Sequence, residues 1–198
     1  MGDHNQLLFL QQNLPEIEGA VLEIGSKDHG NSQPFRDLFS NSTYVGVDLE
    51  EGKGVDKVMD FSAGVGDIEK SSIDMVITCS MLEHTPQPWI VAQNITEVVK
   101  PNGVLYVSAP WSWIFHGYPD DYFRFSFSGI KSLFPEFDFY LEAYATEVPN
   151  EIILITDEKL YNLDRSLMIR SPQLSNNQIH QRLYMPLMNV LMMGRKKN

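Results

Sequence analysis

Cysteine, basic residues and long apolar runs are all scarce in this chain of 198 residues. A single cysteine, Cys79, excludes an internal disulfide framework and a cysteine-rich zinc site. Lys and Arg number 15 against 26 Asp and Glu, and the net charge of −11 disfavours binding to nucleic acid or to an anionic membrane surface. No apolar run approaches the roughly 18 residues of a transmembrane helix, and the N-terminus lacks the basic segment of a secretory signal. We therefore expect a cytoplasmic protein that binds neither membranes nor nucleic acid.

What the chain does have is a series of short apolar runs separated by longer mixed segments. The stronger runs are rich in β-branched residues and nearly continuous in apolar character, as buried parallel strands are. The runs are Ala20–Ile24, Tyr44–Asp48, the weaker Val55–Asp60, Ile73–Cys79 and Gly103–Ala109. Helices are predicted between them, most clearly from Pro88 to Val99 and more briefly from Gln33 to Phe39. The alternation predicts an α/β fold with a doubly wound parallel sheet.

The second half of the chain has a different pattern. Residues 111–127 hold eight aromatic side chains, and a helix at Ser128 to Leu133 and a strand at Phe137 to Thr146 are predicted after them. Residues 157–188 are polar and are typical of an insertion or of loose helices. Either residues 152–155 or residues 190–194 supply the last strand, and the sequence leaves both open.

Three of the predicted strands carry an acid at or near the carboxyl end, where ligands of such sheets bind. The acids are Glu23, Asp48 and Asp60. An acid at the position of Asp48 can accept hydrogen bonds from both hydroxyls of a ribose. An acid at the position of Asp60 can accept from an adenine amino group, and the backbone N–H of Phe61 can serve a ring nitrogen. Because no basic residue accompanies Asp48 or Asp60, the pattern suits an adenosine ligand that has no phosphate and carries positive charge of its own.

The loop after the first run, from Gly25 to Gly30, differs from the common phosphate-binding loops. Lys27 stands where a dinucleotide-binding loop has its second glycine, which weakens a dinucleotide site. Asn31-Ser32 follow in place of the Lys-Ser/Thr of a P-loop, which argues against a nucleoside-triphosphate site.

Six pieces in this order and spacing resemble the class I S-adenosylmethionine-dependent methyltransferases of small molecules, over about residues 18–135. The pieces are Val21-Leu22-Glu23-Ile24-Gly25, Gly46-Val47-Asp48, Met59-Asp60-Phe61, Ile73-Asp74-Met75-Val76, Ser80-Met81-Leu82-Glu83-His84 and Val99-Lys100-Pro101-Asn102-Gly103-Val104-Leu105. The chain departs from the family in the first loop, where the usual E-x-G-x-G-x-G is reduced to Glu23, Gly25 and a late Gly30.

The resemblance implies a Rossmann-like, seven-stranded, mostly parallel sheet with helices on both faces, and S-adenosylmethionine as the cofactor. Asp48 would then hold the ribose diol, and Asp60 with Phe61 would address the adenine. The methionine end would meet the loop after the first strand. The remaining expected cofactor contacts are Glu23 near the end of the first strand, Gly25 and Ser26 in that loop, Leu49 after the second strand, and Cys79 and Ser80 after the fourth.

Polar and aromatic side chains after the fourth and fifth runs predict an acceptor site. His84 follows the fourth run, and either it or His116 could act as a general base for an oxygen acceptor. The segment from residue 111 to 125 is predicted to form a flap over the acceptor, since binding residues concentrate on such loops. Its expected substrate contacts are Trp111, Tyr118, Asp121, Tyr122 and Arg124. A metal held by His116, Asp120 and Asp121 is disfavoured, and we expect none.

The sequence thus predicts one domain over residues 1–198 that transfers a methyl group from S-adenosylmethionine to a small-molecule acceptor. An N-terminal helical segment (1–19) would precede a cofactor-binding half (20–110) and an acceptor-side half (111–198). Two alternatives stay open: an NAD-dependent oxidoreductase, which would share Asp48 and the fold, and a non-catalytic adenosine-binding module.

Overall fold

The alternating runs form one eight-stranded sheet in the computed structural model, which describes residues 2–30, 34–117, 119–156, 169–175, 178–184 and 187–198. The strands of this sheet are β1 (Ala20–Ile24), β2 (Thr43–Asp48), β3 (Lys57–Val58), β4 (Ile73–Cys79), β5 (Val99–Ser112), β6 (Phe137–Thr146), β7 (Ile152–Leu154) and β10 (Met188–Lys196). The helices are α1 (Gly2–Asn13), α2 (Pro88–Val98) and α3 (Phe127–Leu133), with single 3₁₀ turns at Phe35–Leu38 and Leu82–His84. The mixed α/β class predicted from the sequence is confirmed.

The order of the strands places a topological switch beside β1. The sheet runs β3-β2-β1-β4-β5-β10-β6-β7, and the first five of these strands are parallel. β1 therefore lies between β2 on one side and β4 on the other. The chain crosses from one half of the sheet to the other at this point, and ligands of open α/β sheets bind outside the carboxyl ends there.

Helices cover both faces of the sheet, because neighbouring residues of each strand point to opposite sides. Leu22 and Ile24 of β1 belong to a core that includes Ile95 of α2 and Ile130 of α3. Val21 points to the other face, where Phe9 and Leu10 of α1 are fully buried and the ring of Phe9 stacks on that of Tyr106. Each core fixes the sheet from one side, which leaves the carboxyl edge open for loops.

The structure differs from the sequence-based expectation in the strand count and in several elements. The fifth strand extends beyond the predicted Gly103–Ala109 at both ends, so Trp111, expected in the flap, lies in β5. Both candidates for the last strand form strands: β10 lies antiparallel between β5 and β6, and β7 adds an eighth strand beside β6. The third run shortens to Lys57–Val58. The helix predicted from Gln33 to Phe39 is a single 3₁₀ turn, since Pro34 precedes it and the polar residues 40–42 end it.

Within the predicted insertion 157–188, a separate two-stranded antiparallel sheet replaces the expected loose helices. It consists of β8 (Ile169–Ser175) and β9 (Gln178–Tyr184). Residues 157–168, 176–177 and 185–186 lie outside the described residues. Of the helices in the described ranges, none is both long enough and apolar enough to cross a membrane.

Candidate active site

The first loop at the carboxyl edge follows β1 and makes a tight turn at Gly25. Gly25 has φ +82°, and its N–H donates to the carbonyl of Val47 at 2.9 Å. A Cβ on Gly25 would lie 3.0 Å from Met81, so the position has neither the conformation nor the space for a side chain. Ser26 follows with its hydroxyl buried, and that oxygen has no hydrogen-bond partner among the described residues. A polar ligand at this loop would supply one.

Asp48, at the end of β2, faces the same loop. Its Oδ2 accepts from the Lys27 N–H at 3.0 Å, and its Oδ1 accepts from the Glu50 N–H at 3.4 Å. A carboxylate offers about four acceptor positions, so both oxygens retain capacity for further donors. The Lys27 amine turns away to pair with Glu50 at 2.5 Å. Leu49, directly after the acid, is 55% exposed and presents an apolar surface beside it.

Asp60 and Phe61, after β3, lie in different environments. Asp60 is exposed, and its Oδ1 accepts from both the N–H and the hydroxyl of Ser62, at 2.9 and 2.6 Å. The ring of Phe61 is buried in the core under α2, and its carbonyl accepts from the Asn94 side chain at 2.8 Å. The ring of Phe61 is therefore engaged in the core, and the contact expected from its backbone N–H stays a prediction.

Glu23 lies within β1, on the face opposite to Leu22. Its Oε2 accepts from the Tyr44 hydroxyl at 2.7 Å. Burial raises the pKa of Glu23 to about 7, while the Tyr44 hydrogen bond and the Arg36 charge act in the opposite direction. A cationic ligand beside this carboxyl would favour its ionised form.

A residue that was not selected from the sequence, Gln6, links the end of β4 to β5. Gln6 of α1 is buried, and its side-chain amide donates to the hydroxyls of Ser80 and Ser108, each at 2.9 Å. Ser80 has φ +51°, and half-buried Cys79 lies directly before it. The first turns of α1 thus close the carboxyl edge over these two strands.

Two histidines from separate loops meet beside a buried acid. His84 follows β4 and His116 follows β5, and their rings pack edge to face with centroids 4.8 Å apart. Oε1 of Glu83 lies 3.8 Å from Nε2 of His84 and 4.0 Å from Nε2 of His116. Burial lowers the pKa of His84, and the neighbouring His116 acts in the same direction. Glu83 is part of one of the motifs found in the sequence, but only the fold shows that its carboxylate lies beside both histidines.

The segment that follows β5 is held together by Asp121 and Arg124. The Asp121 side chain is 1% exposed, accepts from the His116 N–H at 3.0 Å and pairs with both terminal nitrogens of Arg124 at 2.5 and 2.7 Å. Arg124 also donates to the carbonyls of Trp113 and Ile114. This pairing holds the pKa of Asp121 below its usual range. Both charged groups are thus engaged in closing the loop.

The remaining residues predicted to contact the acceptor are aromatic. Trp111 is half-buried and packs on Tyr144, with ring centroids 5.3 Å apart. Tyr122 is 47% exposed. Tyr118 lies outside the described residues. Ile114 and Phe115, which were not selected from the sequence, are 64% and 73% exposed on the same segment.

Two open cavities lie far from these residues. One of about 340 Å³ is lined by residues 14–17 and 38–41, and one of about 250 Å³ by residues 16–18, 74, 100–104 and 195. Both lie at the amino ends of the parallel strands, where the loops carry none of the side chains described above.

Comparison with known proteins finds solved structures of the same fold and one matching protein family. Residues 4–143 match the family described as a methyltransferase domain, and no curated protein matches the chain in sequence. A SAM-dependent methyltransferase from Archaeoglobus fulgidus has a similar structure, with 17% identity, a TM-score of 0.63, and coverage of 96% of this chain and 92% of that chain.

Two further similar structures contain small molecules. One is the 1,6-didemethyltoxoflavin-N1-methyltransferase of Burkholderia thailandensis, solved with 1,6-didemethyltoxoflavin and S-adenosylhomocysteine; identity is 14%, the TM-score 0.61, and coverage 100% of this chain and 79% of that chain. The other is a phosphoethanolamine N-methyltransferase of Haemonchus contortus, solved with phosphomonomethylethanolamine and S-adenosylhomocysteine; identity is 14%, the TM-score 0.60, and coverage 98% and 53%. At these identities the likeness shows the fold alone.

Proposed function

Because this chain belongs to the methyltransferase domain family, we propose that it transfers a methyl group from S-adenosylmethionine to a small-molecule acceptor. The observation that carries the proposal is Asp48, a carboxylate with unused acceptor capacity at the end of β2, facing the tight turn at Gly25. Family membership favours methyl transfer over the NAD-dependent oxidoreductase.

The residues present fit this cofactor. Asp48 would accept from the ribose hydroxyls, and Asp60 with the Phe61 backbone would meet the adenine. Gly25 allows the tight turn that brings this loop against the end of β2, and the buried Ser26 hydroxyl has no hydrogen-bond partner among the described residues. We call residues 23–28 and 48–61 the cofactor region. When bound, the cofactor supplies a methyl group on a positively charged sulfur, which an acceptor nucleophile can take in line.

The acceptor is expected at the neighbouring loops. Residues 83–84 and 111–124, the acceptor region, lie at and beyond the carboxyl ends of β4 and β5 and are therefore on the same edge of the sheet as Asp48. Exposed Ile114, Phe115 and Tyr122 offer apolar surface to the acceptor. The Nε2 atoms of His84 and His116 are the polar groups that we expect near its reacting atom. The two similar enzymes solved with a small molecule and S-adenosylhomocysteine support an acceptor of this size.

Formation of S-adenosylhomocysteine tests the proposal. The protein is incubated with S-adenosylmethionine and a panel of small alcohols, phenols, amines and carboxylic acids, and the product is measured by mass spectrometry. We expect product that depends on one class of acceptor and is absent from the Asp48→Ala variant. Binding of S-adenosylhomocysteine without turnover on any acceptor would indicate an adenosine-binding module. Binding of NAD, and not of S-adenosylhomocysteine, would indicate an NAD-dependent oxidoreductase.

A further inference from the structure

Glu83, His84 and His116 bring three potential ligand atoms to one point. One carboxylate oxygen and two imidazole nitrogens lie within 4.8 Å of one another. The two distances from Glu83 Oε1, 3.8 and 4.0 Å, are too long for hydrogen bonds. Two ligands of one ion, each bonded at about 2.1 Å, lie at most about 4.2 Å apart. The spacing therefore suits an ion at the centre of the group, after a small inward movement of the side chains.

The Nδ1 atom of each ring faces a carbonyl or carboxylate oxygen, as the non-ligating nitrogen of metal-binding histidines does. Nδ1 of His84 lies 2.6 Å from the carbonyl of Asp120. Nδ1 of His116 lies 3.1 Å from the carbonyl of Ile114 and 3.3 Å from the carboxylate of Asp121. A ring that donates from Nδ1 to such an oxygen keeps a lone pair on Nε2, the atom that faces Glu83. Arg124 orients Asp121 in turn.

Burial is graded across the group. The side chain of Glu83 is 1% exposed, that of His84 12% and that of His116 27%. The carboxylate thus lies at the closed end and His116 at the open end. An ion bound here would keep one side open towards the rest of the acceptor region.

We propose that Glu83, His84 and His116 bind one divalent transition-metal ion of the zinc type. Two imidazoles and one carboxylate form a ligand set that zinc and its neighbours accept, with positions left for an exogenous ligand. A ligated Nε2 has no lone pair for a proton, so the ion takes the place of the general base expected from the sequence. This part of the inference rests on the proposed function: the open coordination positions of the ion would bind oxygen atoms of the acceptor.

Metal titration of the untagged, metal-stripped protein tests the site directly. Cobalt(II) is followed by its visible absorption, and zinc(II) by calorimetry. We expect one equivalent to bind, with affinity at least about 100-fold weaker in His116→Ala, since even second-sphere changes reduce metal affinity by about 10–100-fold. Glu83→Gln should weaken binding similarly. Asp121→Asn should weaken it by about 10-fold.

The matched control is His4→Ala, because His4 lies in α1 and contacts Asn150. Its affinity should stay within about twofold of wild type. Circular dichroism verifies that each variant folds. His116→Ala is the decisive variant, because the His116 side chain is 27% exposed and its loss disturbs the fold least. Absence of one-to-one binding, or equal affinity in wild type and His116→Ala, would overturn the metal site. S-adenosylhomocysteine is titrated into the same sample: cofactor binding without metal binding refutes only this inference, and the reverse result refutes the proposed function.

Discussion

The cofactor region and the acceptor region both depend on carboxylates, but they use them in opposite ways. Asp48 and Asp60 accept from backbone N–H groups two residues further along and remain partly or fully exposed. The Asp121 side chain is 1% exposed and accepts three hydrogen bonds, two from Arg124 and one from the His116 N–H. The first kind of acid keeps acceptor capacity for a ligand. The second kind fixes a loop and positions a histidine.

The role of an acid in a functional loop can therefore be assigned from the hydrogen bonds that its oxygens already accept. Asp48 and Asp121 were both selected from the sequence as ligand contacts. The hydrogen bonds of Asp48 leave room for a ribose. Those of Asp121 make it a positioning residue for His116, and its direct contact with the acceptor stays a prediction.

The largest expected effect concerns Glu23, a half-buried acid of the cofactor region. Its pKa of about 7 in the folded protein, against about 4.5 unfolded, means that the fold favours the neutral acid. Stability from this group is present below pH 4.5 and is lost as the pH rises to 7. Relative to Glu23→Gln, the wild-type free energy of unfolding should fall by up to about 3 kcal/mol between pH 4.5 and 7.5.

Urea unfolding at several pH values measures this difference. The glutamine variant is nearly isosteric and cannot ionise, so it is its own control for packing at the site. Parallel stability profiles for the two proteins would show that the pKa of Glu23 is the same in the folded and unfolded chains, and would contradict the effect of burial on this carboxyl.

The next effect separates the two regions by function. His116→Ala should lower turnover by about 100-fold or more with the acceptor found by screening, which is the size expected when a proton-transferring or metal-binding side chain is lost. The dissociation constant for S-adenosylhomocysteine should stay within about twofold, because His116 lies outside the cofactor region. Steady-state kinetics and calorimetry give the two numbers. A variant with normal turnover would reduce His116 to a packing role beside His84 and Trp113.

The smallest effect tests the loop closure in the acceptor region. Arg124→Met removes the partner of Asp121 and should lower the unfolding free energy by about 1.5 kcal/mol, the range for a hydrogen bond to a charged group. That corresponds to about 3–6 °C in the melting temperature. Adding Asp121→Asn to the same chain should cost less than the sum of the single changes, because no unpaired acid is then left. Additive costs would show that the two residues do not depend on each other.

Local pattern was enough to predict most elements of the fold. The helix expected from Pro88 to Val99 ends one residue earlier, and the strand from Phe137 to Thr146 has the bounds predicted for it. The sequence offered residues 152–155 and 190–194 as alternatives and did not predict that both form strands, because only pairing with β6 makes a strand of Ile152–Leu154, a segment of three residues. Short segments depend on their neighbours in the sheet more than on their own composition.

The sequence was enough to place the residues of the candidate site that lie at strand ends. It was not enough to show which residues of separate loops come into contact. Asp48 lies at the end of β2 because the apolar run ends there. The contact of Glu83 with His116 joins residues 33 positions apart, and that of Gln6 with Ser108 spans 102. No periodicity in the sequence reports such contacts, since they arise when separate loops pack at one edge of the sheet.

Calorimetry with S-adenosylhomocysteine tests most directly whether this edge of the sheet binds S-adenosylmethionine through Asp48. The dissociation constant is measured on the wild type, on Asp48→Ala and on the control Asp37→Ala, because Asp37 is exposed in the 3₁₀ turn Phe35–Leu38. We predict one molecule bound per wild-type chain, unchanged affinity in the control, and affinity weaker by about 30-fold in Asp48→Ala, because hydrogen bonds to a charged group contribute about 1.5–3 kcal/mol. Equal affinity in all three proteins, or no binding by the wild type, would contradict it.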